Sequence, residues 1–84
     1  MGIRTMGLTD REKEWGIKAS RFLKAKLKQK GIGYKELAER LNHHGLVETE
    51  TAIAGKLSRG TFAVSFFLAC LAVLELTGIE LADL

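Results

Sequence analysis

Apolar residues recur at spacings of three and four in the first third of the chain, a pattern typical of an amphipathic helix. This apolar stripe consists of Trp15, Ala19, Phe22, Leu23 and Leu27. Residues 9–12 read TDRE, the form of a capping box, and Gly31 suits a left-handed helix end. The sequence therefore predicts a first helix over residues 10–30.

A second helix is predicted where residues 33–41 read GYKELAERL, since their apolar positions fall on one helical face. It should end at Asn42 or His44, just before Gly45. The small side chain of Ala38 is expected at a close crossing with the next helix.

A third helix can be capped by Thr49 or Thr51 and should stop at Gly60. Thr61 can then cap a fourth helix that continues to about Glu75. Because this fourth helix is apolar nearly all round, it should form the centre of the core or part of a contact with a partner.

With a last helical turn after Gly78, the pattern predicts one all-α domain of four to five short helices over residues 1–84. Residues 1–8 are expected to be flexible. The expected core consists of Trp15, Phe22, Leu23, Leu37, Ala38, Leu41, Ile53, Leu57, Phe66 and Leu71.

Composition narrows the class of protein further. A chain of 84 residues holds one core and leaves little room for a substrate domain. It has no Gly-rich phosphate loop, and His43 and His44 are adjacent, which suits neither a zinc site nor a Ser-His-Asp arrangement. The sequence therefore predicts that the protein is not an enzyme and needs no cofactor, metal or small-molecule ligand.

The expected location is the cytoplasm. Cys70 is the single cysteine and cannot form an intramolecular disulfide, and no secretory signal is evident near Met1. The longest apolar run, residues 66–74, is far shorter than the roughly 18 residues of a membrane span. These features predict a soluble protein without a membrane partner.

Charge is unevenly distributed along the chain. Residues 1–45 contain eleven Lys and Arg and five Asp and Glu, a net charge of +6, whereas the remainder carries −3. A basic segment of this kind indicates either a polyanionic partner or the ordinary solvated face of a helix.

Three stretches resemble the helix-turn-helix domains of Cro and C1-type (lambda repressor-like) proteins. Residues 31–41 are similar to the start of that motif, residues 57–60 to the end of its recognition helix, and residues 78–84 to its closing helix. The segment RGTFAVSFFLACL also resembles a small bacterial subgroup of such domains. The resemblance implies a sequence-specific DNA-binding transcriptional regulator of repressor type, acting as a homodimer on double-stranded DNA.

Two features depart from this family. The turn between the paired helices, residues 42–48, is longer than the usual three or four residues. Glu48 and Glu50 also flank the start of the third helix, where DNA phosphates would approach; these carboxylates could instead favour the helix dipole. The lengthened turn leaves the angle between the two helices open.

The resemblance implies a set of DNA-contacting residues on the outward side of the third helix. These residues are Thr51, Ala52, Gly55, Lys56 and Arg59. Lys56 and Arg59 are expected to be exposed, so that reversing both charges should leave the fold intact. The alternative is that both are ordinary solvated charges.

Phosphate contacts are expected from the first helix and from the hydroxyl of Tyr34; the helix residues are Lys18, Arg21, Lys24 and Lys28. The competing interpretations are a charged solvent face for the lysines and a core ring with a wet tip for Tyr34. The alternative function is a helical protein-interaction or dimerisation module that has lost DNA binding. Apolar positions on the fourth helix predict self-association under either function.

Overall fold

The computed structural model describes residues 10–84 as four α-helices and a terminal 3₁₀ turn. Their bounds are α1 Asp10–Lys30, α2 Tyr34–His43, α3 Glu50–Arg59, α4 Val64–Val73 and the 3₁₀ turn Leu81–Asp83. No strand occurs within this described range, which confirms the all-α prediction. The predicted flexible residues 1–8, and Thr9 of the predicted capping box, lie outside the described residues.

The ends of α1 and α3 follow from local sequence. Gly31 adopts a left-handed φ of 69° after α1. The N–H of Ala52 donates to Thr49 Oγ1 at 3.1 Å, so Thr49 caps α3. Gly60, with φ 70°, closes the same helix. Both glycines occupy a backbone region that is costly for other residues.

The start of α4 differs from the prediction. Thr61 does not cap the helix, because α4 begins at Val64 and its N-cap residue is Ala63, which has no side-chain group that could form a cap hydrogen bond. The helix also ends at Val73, earlier than predicted. A threonine hydroxyl caps a helix only when it directly precedes the first turn, and here two residues intervene.

The core is formed where α3 packs against α1 and α2 and where α4 packs against α2. Its most deeply buried side chains are Leu23, Leu37, Leu41, Ile53, Leu57, Cys70 and Leu74. Most of the predicted core residues are buried, including Ala38, Phe22 and Phe66, whereas Leu71 is only half-buried. Removal of this apolar surface from water is the main favourable term in folding.

The prediction that Trp15 belongs to the core is wrong, since its side chain is 53% exposed. Lys18 Nζ lies 4.7 Å from the centre of the Trp15 ring. The reason is the face that α1 presents to α3. Gly16 and Ser20 occupy that face, and neighbouring helical residues point about 100° apart. Trp15 is therefore rotated away from the core into solvent.

Backbone atoms of α1 and the end of α3 come into close contact at Gly16 and Gly60. A Cβ at Gly16 would overlap the carbonyl oxygen of Gly60, and a Cβ at Gly60 would lie 3.0 Å from the carbonyl carbon of Gly16. One turn further along, the hydroxyl of Ser20 donates to the carbonyl oxygen of Leu57. This hydrogen bond satisfies one of the last carbonyls of α3, which has no partner within the helix.

The described residues include no single helix that is both long and apolar enough to cross a membrane. The bent pair α3 and α4 passes the same length and composition test only together, with 116° between the two helices.

We expect Gly16→Ala to destabilise the fold by about 1–3 kcal/mol, because the added methyl group meets rigid backbone and overpacks the crossing. Gly55→Ala is the matched control within another helix. A Cβ at Gly55 would meet only the flexible end of Arg59, so this variant should gain up to about 1 kcal/mol from helix propensity. Chemical denaturation measures both free energies of unfolding, and equal effects of the two substitutions would contradict the close backbone contact.

Candidate nucleic-acid interface

A basic groove lies where the end of α1 meets the start of α2. It has a volume of about 380 Å³ and is lined by Lys24, Leu27, Lys28, Ile32, Gly33 and Tyr34. Leu27 and Ile32 are buried and Tyr34 is half-buried, whereas both lysines are exposed. The structure therefore brings together three residues for which the sequence predicted phosphate contacts: Lys24, Lys28 and Tyr34.

The first turn of α2 adds a positive partial charge to this groove. Gly33 precedes the helix in an extended conformation and has no side chain that could accept a cap hydrogen bond. The first N–H groups of a helix have no partner within it, and the helix dipole favours an anion beside them. Two lysine side chains and a helix N-terminus thus border the same groove.

Glu36, the acidic residue in the first turn of α2, is engaged in an ion pair. Its carboxylate lies 2.7 Å from Nη2 of Arg40, one turn further along the helix. Nη1 of Arg40 also donates to the carbonyl oxygen of Val73 at 3.1 Å, joining α2 to the end of α4. The negative charge nearest this helix start is therefore partly balanced by Arg40.

The second group of predicted residues lies on α3. Thr51, Ala52 and Arg59 are exposed, and Gly55 is half-buried. The guanidinium of Arg59 lies over Gly55, with Nη1 3.0 Å from the position that a Cβ would occupy. Residues 51, 55 and 59 are spaced four apart and share one helical face. No side chain projects from the middle of this face, because residue 55 is a glycine; we call it the narrow face of α3.

Lys56 does not occupy the exposed position that the sequence predicted. Its side chain is 30% exposed, and Nζ pairs with the carboxylate of Glu48 and lies 4.7 Å from the ring centre of Phe66. The Glu48 side chain is only 6% exposed. Lys56 is next to the fully buried Leu57, and the turn between α2 and α3 brings the Glu48 carboxylate to the Lys56 ammonium group. The ammonium group is therefore held inward by a charge pair.

The lengthened turn between α2 and α3 is held by specific hydrogen bonds. Gly45 has a left-handed φ of 89°, and the N–H of Leu46 donates to the carbonyl of Leu41 at 3.0 Å. The Asn42 amide donates to the carbonyl of Glu48 at 3.4 Å and accepts from the N–H of Glu48 at 3.2 Å. These contacts place the Glu48 side chain against α3.

Glu48 and Asn42 are the important residues that the sequence analysis missed. An acidic residue near a helix start was interpreted through the helix dipole, yet Glu48 acts mainly as the partner of Lys56. One signal was available, because Glu48 precedes the short third helix and Lys56 follows Glu48 by eight residues, in the last turn of that helix. Local spacing could not show the direction in which the turn folds.

Cys70 lies within this buried region and does not present reactive thiolate. Burial, followed by the nearby charge of Glu48, raises the pKa of its thiol to about 12. Within residues 10–84 no group of three His, Cys, Asp or Glu side chains is arranged to hold a metal ion. The groups available for ligand contact are thus the cations and polar side chains of the groove and of α3.

The two groups of residues lie at different levels along α1. Arg59 precedes Gly60, which contacts Gly16. Lys24 and Lys28 follow Gly16 by two and three helical turns, or about 12 and 18 Å at 1.5 Å per residue. A ligand that touches both groups must therefore be extended.

We expect Lys56→Met to lower the free energy of unfolding by about 2–4 kcal/mol, because it leaves the Glu48 carboxylate buried without a partner. This is slightly below the range for a fully buried pair, since Lys56 retains contact with water. Lys56→Glu should cost at least as much, contrary to the tolerance that the sequence predicted. Urea denaturation measures the effect.

The exposed Arg59→Met is the matched control and should change stability by no more than about 0.5 kcal/mol. The double variant Glu48→Gln, Lys56→Met should recover most of the loss, because it removes both charges together. Equal stability of Lys56→Met and the wild type would show that the pair contributes nothing.

Comparison with known proteins adds a family assignment. No curated protein and no solved structure gives a significant match to the chain. Residues 15–79 match the family described as Domain of unknown function (DUF6471), and they include all four helices apart from the first residues of α1. Because this match covers more than three quarters of the 84 residues, the chain belongs to the DUF6471 family.

Proposed function

We propose that this protein binds double-stranded DNA through α2 and α3, as a helix-turn-helix of the Cro and C1 type with a lengthened turn. The observation that carries the proposal is the convergence of Lys24, Lys28 and Tyr34 on one groove at the start of α2. A duplex presents a regular row of phosphates, and a groove that combines cations with a helix N-terminus suits one of them.

In this proposal the groove and α3 have different tasks. The groove anchors the phosphate backbone, which fixes the position of the protein but reads no sequence. The exposed face of α3 enters the major groove, where Thr51 and Arg59 are able to reach base edges and the small side chain of Ala52 permits close approach. Lys56 has no part in recognition, since Glu48 holds its ammonium group.

The charge distribution supports a polyanionic partner. Exposed cations of α1 include Lys13, Lys18, Arg21, Lys24 and Lys28. They belong to the half of the chain that carries a net charge of +6. Such a surface attracts DNA at long range without regard to sequence. Sequence-specific regulation of transcription, from the cytoplasm of a bacterial cell, is the biological role that we propose for this binding.

We expect the double variant Lys24→Gln, Lys28→Gln to weaken binding to every DNA sequence by a similar factor. The slope of the logarithm of the affinity against the logarithm of the salt concentration should become less steep by about two, one for each lost phosphate contact. The binding sequence is first selected from random DNA with the wild-type protein, and gel-shift titrations at several salt concentrations then measure both quantities.

The charge-matched control is Lys18→Gln, Lys30→Gln, which removes two α1 cations that do not line the groove. It should lower the affinity less and leave the preference between sequences unchanged. If both double variants weaken binding equally, the groove has no special role and only the overall charge matters.

One observation favours a second function, a protein-interaction or dimerisation module. On α4, Val64 is 71% and Leu68 is 57% exposed, one helical turn apart. Exposed apolar side chains at this spacing form a stripe suited to another helix. A two-fold dimer through this stripe is compatible with DNA binding, because a dimer presents two α3 helices to related half-sites.

We expect Leu68→Glu to shift the protein from dimer to monomer in sedimentation experiments, because a charge in an apolar interface is costly. The side chain is exposed within the chain, so the circular dichroism spectrum and the melting temperature of the monomer should be little changed. Ala72 is also exposed and follows Leu68 by four residues on α4. Ala72→Glu therefore tests how far the interface extends along the helix. A wild-type protein that remains monomeric at high concentration would contradict self-association.

A further inference from the structure

We propose that Gly55 positions Arg59 for base recognition. Because Gly55 has no side chain, the Arg59 guanidinium lies against the backbone at this position, and from there Arg59 reads a guanine in the major groove. This inference rests on the proposed DNA binding. It assigns the sequence preference to a pair of residues on α3 rather than to all of its outward positions.

The guanidinium lies close to the bare backbone of Gly55. From the position of a Cβ on Gly55, Arg59 Nη1 lies at 3.0 Å, Cζ at 3.7 Å and Nη2 at 3.8 Å. Three atoms of one planar group thus border the space that a side chain would fill. A methyl group here would push the guanidinium outward slightly, and a longer side chain would take its place.

Arg59 is also free to bind a ligand. It is exposed, and among the described residues its guanidinium takes part in no hydrogen bond or ion pair. This differs from Arg40, which is tied to Glu36 and Val73. Arginine presents donors in a planar fork that matches the O6 and N7 acceptors of guanine, the commonest specific contact in the major groove.

The conformation also moves the charge toward the part of α3 that a recognition helix uses. Recognition helices contact bases mainly through their N-terminal residues, and Arg59 is the last residue of α3. It follows Thr51 by eight residues, about 12 Å along the axis. Lying over Gly55, the guanidinium reaches back about half of this distance, in the direction in which helical side chains lean.

Packing does not explain the glycine at position 55. At Gly16 a Cβ would strike the backbone of Gly60, so that glycine is required by the fold. At Gly55 only the flexible end of Arg59 stands in the way. Glycine is among the least favourable residues in a helix interior, so its presence here calls for a local reason. Space for Arg59 is such a reason.

The experiment compares Gly55→Ala, Gly55→Gln, Arg59→Ala and the double variant Gly55→Gln, Arg59→Ala. Each is titrated against the DNA site selected by the wild type and against sites in which single guanines are replaced. Arg59→Ala should lose the preference for one guanine, roughly 5- to 150-fold for a bidentate contact. Gly55→Gln should lose most of the same preference at the same guanine, and Gly55→Ala a smaller part.

Both Gly55 variants should melt at or above the wild-type temperature, so that the lost preference does not reflect unfolding. Ser58→Ala, an exposed substitution on another face of α3, should leave the preference unchanged. In the Arg59→Ala background, Gly55→Gln should have no further effect on the guanine preference. A further loss there would show that residue 55 meets the DNA itself and would overturn the inference.

The outcomes separate this inference from the function on which it rests. If Gly55→Gln binds the selected site with the same affinity and the same guanine preference as the wild type, only the role of Gly55 is overturned. A wild-type protein that binds no DNA, even at low salt, overturns both.

Discussion

The backbone contact between Gly16 of α1 and Gly60 at the end of α3 determines where the candidate DNA-reading helix lies. The backbones of two helices approach this closely only where neither residue carries a Cβ. One turn further along α1, the hydroxyl of Ser20 joins the same two helices by its hydrogen bond to Leu57. The other side of α3 then faces α2 and completes the core. The exposed position of Trp15 follows from this crossing.

A second constraint acts on the opposite end of α3. The pair of Glu48 and Lys56 lies in a partly buried setting, and Asn42 holds the backbone of Glu48. Buried charge pairs contribute little net stability because desolvation offsets their attraction, but breaking one is costly. The pair therefore favours one arrangement of the lengthened turn over others. A turn longer than that of the Cro-like family is compatible with a defined position of α3.

These two constraints separate the cations into classes with different physical roles. Lys56 pairs with Glu48, Arg40 links α2 to α4, and Lys24, Lys28 and Arg59 are exposed and form no ion pair among the described residues. Charges of the last kind attract any polyanion, so they cannot by themselves produce specificity. Specificity in the proposed function must come from the few side chains on the narrow face of α3. That surface is simple enough for single substitutions to resolve it.

The sequence by itself determined the helices and most of the core. Periodic apolar positions fixed α1 and α2, and Thr49, Gly31 and Gly60 marked helix ends, because these signals act between residues close in the chain. The partners across the molecule were decided only by the tertiary structure. Which side of α1 faces α3 depends on a backbone contact between residues 44 positions apart in the chain. The burial of Glu48 against Lys56, and hence the partial burial of a lysine predicted to be exposed, depends on the path of the turn, which no local spacing encodes.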